Sequence, residues 1–124
     1  MKMPVIAVSV LALGGLLHTP AQATGTADDG PVGIGVIGSG LKVREVRITL
    51  DGWKAGAKAR VSEWNSTEYV RSVRGWKAMS SKEFRGHKFE TAIWKINKNV
   101  PHGHRICAEV AGYEERMPCV TIKR

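Results

Sequence analysis

The sequence is short of the residues that usually build helical cores. Residues 24–124 hold only two leucines, Leu41 and Leu50, and two phenylalanines, against 17 valines and isoleucines. Core-facing helices draw on Leu, whereas β-branched side chains fit a pleated, half-buried surface. This imbalance argues for an all-β domain. Cysteine is nearly absent. Cys107 and Cys119 are the only two, and their spacing is neither Cys-x-x-Cys nor a zinc pattern, which argues against redox and metal roles. Catalytic signatures are missing as well. There is no Gly-x-Ser-x-Gly and no His-Glu-x-x-His, and Glu114-Glu115 sits in a turn rather than across a cleft. The expectation is a protein that is not an enzyme and needs no cofactor. No second long apolar run follows the N-terminal one, so no integral membrane segment is expected after residue 23.

The N-terminus carries a different signal. Lys2 precedes a thirteen-residue apolar run, Val5 to Leu17, and Ala21-Gln22-Ala23 is a small-x-small cleavage site. Together they predict a secretory signal peptide over 1–23, cleaved before Thr24, and a secreted, extracellular protein. A retained membrane anchor is the alternative, disfavoured by the shortness of the run. Two cysteines in an exported chain fit one disulfide in an oxidising compartment.

That disulfide organises the C-terminal end. Ile106 to Ala111 and Pro118 to Ile122 are β-type runs around a turn-like segment at Gly112, Glu114 and Glu115. Placing Cys107 opposite Cys119 pairs Ile106 with Val120, Glu109 with Met117 and Ala111 with Glu115. It puts Ile106, Ala108, Val110, Val120 and Ile122 on one apolar face and leaves the cysteines nearer solvent.

Upstream, residues 24–40 read as a flexible, Gly-rich arm or a poorly formed edge strand, with 41–124 as a single domain. The glycines at 33, 35, 38 and 40 lack the helix start and Lys-Ser/Thr pair of a phosphate loop. Leu41 to Leu50 predicts a strand, and a bulge near Arg44-Glu45 brings Leu41 and Val43 onto the face of Val46, Ile48 and Leu50. Ala57–Trp64 and Glu68–Trp76 predict a hairpin around Asn65-Ser66-Thr67. Residues 79–100 support two readings. Ser80-Ser81-Lys82-Glu83 matches a helix capping box, but Gly86 interrupts it and the composition of 88–97 favours a strand. Strand spacing of about ten residues points to a small antiparallel, immunoglobulin-like β-sandwich of six or seven strands.

Charge supplies the functional reading. The chain has 19 Lys and Arg against 11 Asp and Glu, a formal net charge of +8. Residues 41–98 hold fourteen of those bases and six acids. Arg44, Arg47, Lys58, Arg60, Arg71 and Arg74 are the candidate anionic-ligand face, with Trp53 and Trp76 as candidate aromatic recognition residues beside Lys54 and Lys77. Trp64 and Trp94 are expected in the core. The expected function is a non-enzymatic binding module for an anionic extracellular partner, a cell-wall polymer or acidic glycan. An anionic membrane surface is a further option, and nucleic acid an unspecific one. The alternative is a secreted antagonist, either a cationic antibacterial protein or an inhibitor of a secreted enzyme. His87, His102 and His104 lack a carboxylate at metal-ligand spacing, so no metal site is expected.

Overall fold

The computed structural model describes residues 24–124, so the expected signal peptide lies outside the described residues. Among the described residues there are nine strands: β1 (Gly25–Asp29), β2 (Val32–Ser39), β3 (Lys42–Asp51), β4 (Lys58–Trp64), β5 (Tyr69–Ala78), β6 (Ser80–Phe84), β7 (His87–Asn99), β8 (Arg105–Val110) and β9 (Cys119–Thr121). They form two antiparallel sheets, ordered β1-β2-β3-β7-β6 and β5-β4-β8-β9. The all-β class holds, with more strands than the six or seven expected.

The inner faces follow the period of two that strands impose. Val32, Ile34 and Val36 of β2, Val46, Ile48 and Leu50 of β3, and Ala92, Trp94 and Ile96 of β7 face Ala59 and Val61 of β4 and Ile106, Ala108 and Val110 of β8. The bulge expected in β3 is present. Register shifts between Val43 and Glu45 leave Arg44 as the extra residue, which turns Val43 inward with Val46.

Two expectations need correction. Residues 24–40 are not a flexible arm: β2 runs between β1 and β3, and Val32, Ile34 and Val36 are core residues. Gly33 and Gly38 mark close packing here. A Cβ on Gly38 would collide with the Lys42 carbonyl oxygen across the β2–β3 turn. The C-terminal hairpin keeps the expected register at Arg105–Thr121, Ile106–Val120 and Cys107–Cys119, and the cysteines are bonded. However, Glu109 and Ala111 do not pair with Met117 and Glu115. Ala111 instead donates to Lys58 O at 3.0 Å, and the chain curls through Tyr113 N–H to Val110 O (2.9 Å) and Arg116 N–H to Tyr113 O (2.9 Å). Cys107 is fully buried, so the stapled face is not the wetter one throughout.

The capping-box segment is β6, not a helix. β5 and β6 are separated by Met79 alone, so one extended stretch pairs first with β4 in one sheet and then with β7 in the other. Phe84 pairs with His87, leaving a two-residue turn with Arg85 at φ 52° and Gly86 at φ 82°. Positive φ at both central residues is the type I′ geometry that suits the twist of a hairpin.

Candidate functional site

The six expected cations do not share a face. Arg44 and Arg47 lie on β3 in the five-stranded sheet, whereas Lys58, Arg60, Arg71 and Arg74 lie on β4 and β5 in the other. The division follows from topology, because the chain changes sheets between β3 and β4. Most of the six are also engaged. Arg60 donates through Nε and Nη2 to Glu109 Oε1 at 3.1 and 2.8 Å, with its guanidinium 4.5 Å from the Trp76 ring centre. Arg71 Nε lies 3.3 Å from Glu63 Oε1, and Arg47 is 3.2 Å from Glu45. Arg74 donates to the carbonyls of Val73, Lys95 and Ile96.

The two candidate tryptophans also part company. Trp76 is 44% exposed within β5 and stacks with Arg60. Trp53 is 54% exposed in the loop after β3. Its indole Nε1 donates to Lys82 O at 2.9 Å, and Lys88 Nζ stands 4.6 Å from its ring centre. That geometry fixes the ring and lays a cation on its face. Trp94 is buried as expected, whereas Trp64 is only half-buried and bonds Ser62 Oγ at 3.1 Å.

Trp53 thereby belongs to the β6–β7 hairpin, the most exposed part of the described fold. Every residue of β6 is exposed, as are residues 85–88. Ser81 Oγ donates to the buried Glu90 at 2.6 Å, so the Ser81 and Glu83 side chains point to the inner side of this ribbon. Lys88, opposite Glu83, carries Trp53 on that side. Lys82 and Phe84 alternate to the outer side, where Phe84 is 64% exposed and His87 stacks on Phe89 at 5.7 Å. Arg85 lies 5.2 Å from the Phe84 ring centre. The ribbon therefore presents aromatics on both faces. Lys82, Arg85 and Lys88 stand among residues 82–88 against one acid, Glu83.

Arg85 sharpens the case for this tip. Its left-handed backbone favours Gly or Asn, and the Cβ of any other residue there costs on the order of 1 kcal/mol. Sequence reasoning passed over the hairpin because the capping box competed with it. The signal that would have found it was Phe-Arg-Gly-His between two alternating runs, with Gly86 as a turn residue.

Two buried carboxylates were also missed. Glu63 and Glu90 are each 1% exposed and point inward, on the same parity as Ala59-Val61 and Ala92-Trp94. Glu63 contacts His104 Nδ1 at 2.7 Å as well as Arg71, and Glu90 accepts from Lys54 N–H at 3.0 Å and Ser81 Oγ. They lie in different sheets and satisfy local donors, so both are read as structural. The other two histidines among the described residues are engaged too. His87 lies 3.6 Å from Asp51, and His102 Nδ1 accepts from Arg124 N–H at 2.9 Å. Among the described residues, no group of three His, Cys, Asp or Glu side chains could hold a metal ion. In the loop before β9, the Gly112 N–H donates to Glu114 at 3.1 Å and, with the residue's own N–H, holds that carboxyl below the ordinary glutamate value.

No protein-family model, curated protein or solved structure matches this chain. Among the described residues, no helix is long and apolar enough to cross a membrane.

Proposed function

We propose that the chain is a secreted, immunoglobulin-like binding domain without catalytic activity, which holds an anionic partner of the cell exterior through the β6–β7 hairpin. The observation that carries this reading is the joining of Trp53, Phe84, Lys82, Arg85 and Lys88 on one projecting ribbon. Aromatic faces supply contact area and cations supply attraction to an anion, and neither function is spent here on the core. The N-terminal Lys2, apolar run and Ala-x-Ala site support export, as does the disulfide.

The immunoglobulin-like reading is supported by connectivity. The order β2-β3-β7-β6 against β5-β4-β8-β9 corresponds to A-B-E-D against C′-C-F-G, with β1 added at one edge. The disulfide departs from that pattern, because it joins β8 to β9 within one sheet rather than bridging the sheets.

The test is retention of the purified protein on an anionic polysaccharide matrix. The parent protein should be retained at low salt and released as salt rises, because exposed charges are screened. The triple variant Lys82→Ser, Arg85→Ser, Lys88→Ser should lose retention, whereas Arg47→Ser should change it little. Equal retention of the triple variant and the parent would reject the hairpin as the site.

A further inference from the structure

We infer that the partner of this hairpin is the headgroup region of an anionic lipid bilayer. The inference rests on reading the β6–β7 hairpin as the recognition site and names what that site holds.

The argument is one of shape. A sugar chain or other linear polymer lies along one face of a sheet or in a groove. Here the aromatics stand on opposite faces of a ribbon, Phe84 on the outer side and Trp53 on the inner, so one linear ligand cannot cover both. A medium that closes around the tip from all sides can. Phe84 is 64% exposed and immediately precedes the turn, so it leads the ribbon into such a medium.

The cations are placed to match. Lys88 is one pairing position behind the Phe84–His87 pair, and Lys82 is two behind. At about 3.3 Å per strand residue, they trail the tip by roughly 3 and 7 Å. An interfacial segment buries its apolar face about 5–10 Å into the boundary between headgroups and acyl chains. With Phe84 at that boundary, Lys82 and Lys88 reach the phosphate level, and Arg85 extends its guanidinium back from the tip by snorkelling. Trp53 suits the same depth, with an apolar ring and an N–H already bonded to Lys82 O. Glu83 is the acid that opposes this arrangement, against three cations within residues 82–88.

The strain at Arg85 fits the same reading. A turn serving only to reverse the chain would favour Asn at this position. Arginine places a cation beside the phenylalanine on a side chain long enough to reach back to the phosphates.

Vesicle co-sedimentation tests the inference. The probes are vesicles of phosphatidylcholine alone, vesicles of phosphatidylcholine with phosphatidylglycerol, and the soluble anionic polysaccharide as competitor. The expected result is binding to the phosphatidylglycerol vesicles only. Phe84→Ser should weaken it about tenfold, since that apolar ring is lost from the interface, while retention on the polysaccharide matrix stays at the parent level. Phe84 is mostly exposed, so this change leaves the core untouched. Trp53 emission should shift to the blue on binding, a shift removed in Trp53→Phe. Unchanged vesicle affinity of Phe84→Ser, or no binding to anionic vesicles beside normal polysaccharide retention, would overturn the bilayer assignment and leave the hairpin reading standing. Loss of no affinity of either kind in the triple lysine–arginine variant would overturn both.

Discussion

Glu63 and Glu90 show what one residue contributes to a small β-domain. Each sends a carboxylate inward from a strand whose neighbouring inner positions are apolar, and each is stabilised by donors supplied locally. Removing one partner of a buried hydrogen bond leaves the opposite group unsatisfied. Glu63→Ala takes the partner from His104, while Arg71, half-exposed, can turn back to water. The expected loss is about 2 kcal/mol, within the range for an unmade buried hydrogen bond. Glu90→Ala frees the Lys54 N–H and Ser81 hydroxyl and should cost about 2 kcal/mol. Glu68, exposed on the β4–β5 connection, gives the control: Glu68→Ala should move stability by under about 0.5 kcal/mol. Urea unfolding monitored by tryptophan fluorescence measures all three, and a Glu63→Ala protein as stable as its parent would show that the carboxylate is not structural.

At the scale of elements, the β8–β9 hairpin is the part most openly written in the sequence. Alternating Ile106, Ala108 and Val110 against Val120 and Ile122 fixed its register, and the cysteines fixed its closure. The separation of 12 residues between them predicts that the bridge contributes about 3 kcal/mol by restricting the unfolded chain. A Cys107→Ala, Cys119→Ala protein should lose about that much, with β4 still paired to β8 through its backbone. Retained stability in the double variant would show that the apolar face alone suffices. Other elements were harder to read for physical reasons. In β2, glycine on the outward positions disguised the inward Val32, Ile34 and Val36, although their alternation was complete. In β6, a local capping pattern competed with a pairing that depends on β7. The parity of Ala59, Val61 and Glu63 was available in the sequence, but its meaning needed the burial of that whole face. The candidate site was least legible, because Trp53 meets Lys82 and Lys88 only after β3 and β7 have paired.

For the whole molecule, charge distribution is set by sheet assignment rather than by sequence proximity. Bases clustered along residues 41–98 separate onto two sheets, and several are used internally. Two close an open edge. β6 pairs with β7 only from His87 to Thr91, and beyond that point Lys77 Nζ bonds Ile93 O at 2.7 Å while Arg74 Nη2 bonds Lys95 O at 3.3 Å. Unpaired strand edges template pairing with other chains, and lysine on an edge is one common protection. The double variant Arg74→Ala, Lys77→Ala should therefore have a larger average mass than the parent protein by light scattering at equal concentration. Equal masses would mean that those carbonyls are not a latent pairing edge.

The passage of the chain from β5 to β6 across Met79 has a mechanical meaning. A force applied to the hairpin tip is divided at the turn between two load paths, one running along β6 and through Met79 down β5 into β4 and one down β7 into β3. Both are long antiparallel ladders loaded along their length, so they resist together in shear and do not unzip bond by bond. A domain held at this tip would be gripped by both of its sheets at once.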